Sequence, residues 1–307
     1  MIGIGNNQLM KNNIIPSIDG KFQVYTTSTY LKFSDNYGVS FSDLTGGGSR
    51  IWKSVCISGD GSYISAVESS GYIYTSSDYG VTFTARNTDA SRSYAVIDMS
   101  NDGEFQTAGT TGSYIYRSTN YGVSWTQLTS FGTKPTNSLS ISASGQYQTL
   151  AIQQISYIYV SNDYGATFTG YYLDDTSNMT NVSISSSGQY QLVSIANDPD
   201  LNYCALSTNY GVSWTGQVIT TGSFYAAGVS GDGKYMAVSP AFASTYKSSN
   251  YGSSWVISEY FASFVTNISM SYSGKYQAIQ NFYSSNYGVN WSERTGVGYI
   301  AINKYIL

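Results

Sequence analysis

Few residues of this chain could do chemistry, because it contains no histidine. That removes the commonest general base and metal ligand, and with it Ser-His-Asp, Cys-His and His-bearing zinc sites. No Walker loop or dinucleotide fingerprint occurs in a strand–helix context. Carboxylate chemistry remains: two acids about 5–10 Å apart can hydrolyse a glycosidic bond. The acids available for it on variable stretches are Glu68, Asp89, Asp174, Asp175, Asp198, Asp200 and Glu259, with Arg50, Trp52, Arg92, Tyr172 and Tyr260 beside them as ligand contacts. Asp174 and Asp175 could together hold a cation, although adjacent acids in a polar loop are ordinarily just solvated. One more acid, Asp98, stands out in a column that otherwise reads Ile15, Cys56, Ser140, Ser183, Gly228 and Ser269; it faces either the channel or a blade interface, as polar lining or as a ligand anchor. These residues read as contacts to a ligand, with no catalytic set, metal or cofactor expected.

Composition sets what must position them. Charged residues make up 10% of the 307 residues and the net charge is −4, with no basic cluster, so nucleic acid is not expected as a partner. No apolar run approaches the roughly 18 residues of a membrane span. The opening "MIGIGNNQLMKNN" lacks the long apolar core of a secretory signal. Cys56 and Cys204 lie far apart in the repeat register given below and read as buried thiols rather than a disulfide framework. Hydrophobic residues reach 41%, enough for a full core, and 31 tyrosines join abundant Ser, Thr and Asn. Such a chain is all-β.

Two markers repeat along it. The first is "SDNYGVSF" (34–41), "SSDYGVTF" (76–83), "STNYGVSW" (118–125), "SNDYGATF" (161–168), "STNYGVSW" (207–214), "SSNYGSSW" (248–255) and "SSNYGVNW" (284–291). The second is a Gly-x-aromatic turn at Gly20, Gly61, Gly103, Gly145, Gly188, Gly233 and Gly274. Each marker closes a hairpin, as in "NSLSISASGQYQTLAI" followed by "SYIYVSNDYGATFTGYY". Four strands every 42 or so residues is the period of a propeller blade. The expectation is one seven-bladed β-propeller with blades at 11–43, 50–86, 93–128, 136–171, 179–217, 224–257 and 265–295. Residues 297–307 close the ring on the first blade, where residues 12–17 compete for the same innermost place. Both markers fall on one face of the ring; the variable loops fall on the other, where function usually sits.

The first marker closely resembles the Asp-box, or bacterial neuraminidase repeat, in all seven copies. Its serines are Ser34, Ser76, Ser118, Ser161, Ser207, Ser248 and Ser284; its glycines are Gly38, Gly80, Gly122, Gly165, Gly211, Gly252 and Gly288. Its aromatics are Phe41, Phe83, Trp125, Phe168, Trp214, Trp255 and Trp291. Asp-box propellers include sialidases, the sortilin ectodomain, certain xyloglucanases and a photosystem II assembly factor. The resemblance implies a structural turn between a blade's third and fourth strands, away from any active site. The residues agree, since the acidic position is Asn at 36, 120, 209, 250 and 286 and Asp only at Asp78 and Asp163. A turn accepts Asn36, Asn120, Asn209, Asn250 and Asn286 as readily as Asp, whereas acid–base chemistry would not. The Tyr before each motif glycine inherits that reading, with seven shallow sugar sites as the alternative.

The sialidase pattern itself departs. No Arg-Ile-Pro occurs, and Arg50, Arg86, Arg92, Arg117 and Arg294 are the only arginines. Xyloglucanases place their acids between two propellers, and one is expected here. The leading expectation is therefore a non-enzymatic binding module for a glycan or protein surface. A scaffold docking a protein partner is the first alternative, and a sialidase-like glycoside hydrolase using loop carboxylates the second. Low charge with much Ser, Asn and Tyr is similar to secreted, adhesive or virion-surface proteins, so an extracellular or virion-associated setting is expected.

Overall fold

Residues 136–172 show how one repeat folds. Thr136–Ile141, Gln148–Ile152, Tyr157–Ser161 and Thr169–Tyr172 pair in that order as an antiparallel meander. The first two strands are buried on both faces apart from Asn137, because a neighbouring blade covers each side; the fourth is mostly exposed. That is why the inner strands carry near-continuous Leu, Ile and Ala while the outer one is polar. The computed structural model describes residues 19–27, 29–152, 157–173, 178–196, 203–219, 223–240, 244–260, 265, 267–279, 282–293 and 300–302.

Seven such four-stranded sheets form the molecule. Blades 2 to 7 span 52–86, 94–127, 136–172, 178–218, 224–260 and 268–293. Blade 1 takes three strands, Gln23–Thr26, Leu31–Ser34 and Ser42–Asp43, from one end of the chain. Its innermost strand is Ile300–Ile302, paired antiparallel with Gln23–Tyr25. The first strands of successive blades neighbour one another around the ring, and Ile300–Ile302 sits between Ile268–Met270 and Trp52–Ile57. The tail therefore holds the place for which residues 12–17, outside the described residues, were the other contender. Among the described residues no helix is long and apolar enough to cross a membrane.

Three devices join the blades. The first explains the Gly-x-aromatic marker. Each of these glycines has φ between +73° and +80°, and a Cβ there would meet the aromatic ring of the preceding blade's own marker. At Gly188 the clash would be with Tyr147 at 2.6 Å, and at Gly145 with Phe105 at 2.7 Å. Glycine thus supplies both the left-handed turn and the space for a neighbour's ring.

The second device is an edge cap. An innermost strand presents unpaired N–H groups along its open side, and the preceding blade supplies acceptors. Ser54 Oγ receives the Ile97 N–H at 3.3 Å, Ser140 Oγ that of Ile184 at 3.2 Å, and Ser183 Oγ that of Val229 at 3.0 Å. Ser269 Oγ takes the Ile302 N–H at 3.2 Å, across the ring closure.

The third device is a buried glutamine ladder. Gln106, Gln148 and Gln191 open their second strands, and each donates Nε2 to its own turn carbonyl, Gly103, Gly145 and Gly188. Each Oε1 accepts from a hydroxyl one blade earlier: Ser65, Thr107 and Thr149, all at 2.7 Å. Gln23 keeps the turn bond to Gly20, but its buried Oε1 has no partner among the described residues. The preceding blade has Ala278 in the place of Thr149. Thr149→Val should cost about 1–3 kcal/mol by stranding Gln191 Oε1, and Ala278→Ser should gain about 1 kcal/mol by serving Gln23. Urea unfolding of the two variants checks both signs.

Candidate functional site

The repeated turn is built the same way seven times. In the third copy Ser118 Oγ donates to Asn120 Oδ1 at 3.0 Å and accepts the Gly122 N–H at 3.0 Å. Asn120 Oδ1 also accepts the Ser124 N–H at 3.0 Å. In six copies the fourth residue after the Asn or Asp differs with which of the two is used; in the seventh it is Asn290, whose N–H Asn286 Oδ1 accepts at 2.9 Å. Where it is Ser, as at Ser40, Ser124, Ser213 and Ser254, an Asn Nδ2 donates to its hydroxyl. Where it is Thr, as at Thr82 and Thr167, the hydroxyl donates instead to Oδ2 of Asp78 or Asp163. Burial pushes these two carboxyls up, but the bonds from Thr and Ser hold them below the usual range. The Tyr at each turn has φ of 60–63°, a strained choice for an aromatic residue. Six of these rings, at Tyr37, Tyr121, Tyr164, Tyr210, Tyr251 and Tyr287, lie 4.6–5.3 Å from the marker aromatic of the preceding blade. The amide or acid is spent on the turn; the six stacked tyrosines contribute one ring face to a junction, and all but Tyr37 of the seven turn tyrosines are exposed.

The candidates on the opposite, variable face are also engaged. Arg92 grips Asp89 with two bonds, 3.0 and 2.6 Å, and donates Nε to the Tyr116 hydroxyl at 2.6 Å. The bond to Asp89 raises the Arg92 pKa, and Arg92 in turn lowers that of Asp89. Tyr94 beside it is pushed up to about 12 by burial. Arg50 donates Nε to the Gly47 carbonyl at 2.9 Å, lies 4.3 Å above the Tyr74 ring and reaches Glu68 at 3.9 Å. Trp52 is buried, edge-on to Tyr74 at 5.3 Å.

A pattern that the motif reading missed links these two arginines. Arg50, Arg92 and Lys134 each stand two residues before the innermost strand of their blade, and each covers the third-strand tyrosine, Tyr74, Tyr116 or Tyr159. The signal was present, since those tyrosines all stand two before a motif serine. Three loops are pinned by cation–π contacts, each worth about 0.5–1 kcal/mol at an exposed site.

Asp98 faces a blade interface. Its Oδ1 accepts the Met99 N–H and its Oδ2 the Ile141 N–H of the next blade, both at 2.9 Å, and it is 6% exposed. It is an edge cap like Ser140 and Ser183, which accounts for its column without a ligand. In blade 1 the same register position is Ala301, opposite Val24; Ile15 lies outside the described residues. Cys56, in the same column, is a buried free thiol, as is Cys204, and burial raises both pKa values. Asp174, Asp175, Asp198 and Asp200 also lie outside the described residues, and Glu259 and Tyr260 are placed only by their backbone, on Val256–Tyr260.

Tyr172 borders a cavity. In the column two before the motif serine the seven residues are Lys32, Tyr74, Tyr116, Tyr159, Ala205, Tyr246 and Phe282. In blade 4 the Tyr159 ring lies over its cross-strand partner Gly170, where a Cβ would be 3.0 Å away. In blade 5 the equivalent pair is Ala205 and Gly216, with no ring at all. The missing ring leaves a pocket of about 340 Å³ on the outer wall between blades 4 and 5. Tyr171, Tyr172 and Leu173 form one side; Ser213, Trp214 and Val218 form the other. Trp214 is held by a 3.1 Å bond from Nε1 to the Gly211 carbonyl, and Tyr172 by edge-on contact with Tyr157 at 5.4 Å.

Solved structures share this architecture. YCF48 bound to D1 peptide is 14% identical, over 94% of this chain and 97% of that one, with a TM-score of 0.65. The GH74 xyloglucanase from Xanthomonas campestris is 12% identical with a TM-score of 0.70; all of this chain matches 55% of the enzyme's. The β-propeller domain of Cps50 (Swd1) from Myceliophteria thermophila is 14% identical, over 85% and 90%, with a TM-score of 0.62. The fold is a seven-bladed β-propeller. No family model matches the sequence, and neither does any curated relative. At such identities the likeness concerns the fold alone.

Proposed function

We propose that this propeller is a non-enzymatic binding module that holds a glycan or a protein surface against its rigid ring. One observation carries the reading: the repeated polar groups are consumed in fastening, and a lined pocket opens where the repeat breaks, at Ala205 and Gly216. Asp98, Arg92 and Arg50 are likewise held by backbone, carboxylate and ring partners. We read the seven turns as Asp-boxes, because Ser, Asn or Asp, and Gly keep one structural role in every copy. An extracellular or virion-surface setting belongs to the same proposal. The reading also draws on the YCF48 propeller, a similar fold with a peptide bound to it.

A glycan array probed with and without calcium tests it, run beside an assay for reducing sugar released from the same glycans. Calcium-independent binding without release is the expected result. Release of reducing sugar would replace the proposal with a hydrolase. Silence on the array with capture of a defined protein partner would move it to the scaffold form.

A further inference from the structure

We infer that the wall pocket between blades 4 and 5 is a subsite for one or two uncharged pyranose rings. The inference rests on the binding-module reading and narrows it to one place and one ligand class. Its volume of about 340 Å³ lies at the small end of ordinary ligand sites, about 300–1,000 Å³, which suits a sugar ring rather than a folded surface. Among the described residues no charged side chain lines it, so no described group there would compensate a carboxylate or phosphate on the ligand. That selects against sialic acid and for neutral sugars.

The lining combines two features that a pyranose also combines. Tyr171, Tyr172 and Trp214 bring flat apolar rings to the pocket, suited to the C–H face of a sugar. The tyrosine hydroxyls, Ser213 and the open edge of Thr215–Val218 bring donors and acceptors for its hydroxyl rim. Ser213 Oγ accepts from Asn209 Nδ2 at 2.9 Å, which leaves its own O–H to donate. A purely aliphatic ligand would strand these polar groups. The rings are held in place before any ligand arrives, Trp214 by Gly211 and Tyr172 by Tyr157, so little ordering is lost on binding.

The test uses the repeat itself. Ala205→Tyr restores the residue found at Tyr74, Tyr116, Tyr159 and Tyr246, opposite a glycine as at Gly170, and should fill the pocket without unfolding the blade. Tyr172→Ala, on a half-exposed side chain, is the second variant should the first fold poorly. Wild-type protein and both variants are titrated by calorimetry with chitotetraose, maltotetraose, N-acetyllactosamine and 3′-sialyllactose. Saturable binding of a neutral probe, with Kd of about 1 mM or below, weakened tenfold or more in both variants and no tighter for the sialylated probe, supports the inference. Equal binding in Ala205→Tyr, tighter binding of sialyllactose, or no binding of any neutral probe at about 10 mM overturns it. A proline-rich peptide serves as a control: if it binds, is lost in Ala205→Tyr and no sugar binds, the sugar subsite falls while the binding-module reading stands.

Discussion

Gly188→Ala should destabilise the ring by about 2–5 kcal/mol. Two costs add there. With φ at +80° the alanine occupies left-handed space, at about 1–2 kcal/mol. Its Cβ would also sit 2.6 Å from Tyr147 Cδ2, and forcing extra bulk into a packed junction costs about 1–3 kcal/mol. The Tyr147 ring cannot simply swing away, because it lies 4.8 Å from Tyr210 of the next blade. The protein offers its own controls. Gly132 has φ of +75° and nothing within 4 Å of where an alanine methyl would sit, so Gly132→Ala should show the backbone cost alone. Gly112, with open space and no positive φ, should change stability by about 0.5 kcal/mol or less. Urea unfolding followed by tryptophan fluorescence ranks the three. Equal losses at Gly188 and Gly132 would show that the ring contact contributes nothing.

The second large effect concerns closure. A chain ending before Ile300 should lose more stability than any single core truncation, because blade 1 forfeits its innermost strand. Ile302 is fully buried among Val24, Val55 and Ala278, and Ile302→Ala alone should cost about 2–5 kcal/mol. Removing the whole strand also strips the Ser269 bond and exposes the edge of Gln23–Thr26. An open edge invites pairing with another chain. The truncated protein should melt well below the full chain and associate through that edge, and a synthetic peptide of residues 297–307 should restore the melt. A truncated protein that melts like the full chain would mean that closure lies elsewhere.

Sequence reading captured what is local. Alternation around "SASGQY" and "SNDYGATF" gave the hairpins, and two markers in step gave the number of blades. It also gave the fastening role of the turn, since Asn and Asp exchange freely at 36 through 286. What it missed lies between blades, where partners stand some 42 residues apart and no local period reports them. The glutamine that follows "GKF", "GEF" and "GQY" was visible in the marker, yet its meaning depends on Thr107 or Thr149 across a junction. Asp98 looked exceptional in its column because it is charged; in space it performs the same cap as its serine equivalents. Ala205 was legible as an odd residue in a tyrosine column, but the pocket it leaves requires Gly216 opposite and Tyr171 to Leu173 alongside.

The repeated turns are proposed to hold the ring together, with binding where the repeat fails. The five tryptophans test this in one NMR experiment. Four of them, Trp125, Trp214, Trp255 and Trp291, occupy the same motif position, and Trp214 alone borders the pocket at Ala205. Titration with the neutral oligosaccharide that binds tightest should move the indole N–H signal of Trp214 and leave Trp125, Trp255 and Trp291 still. Parallel shifts in all four would make the turns themselves the binding sites and contradict the account.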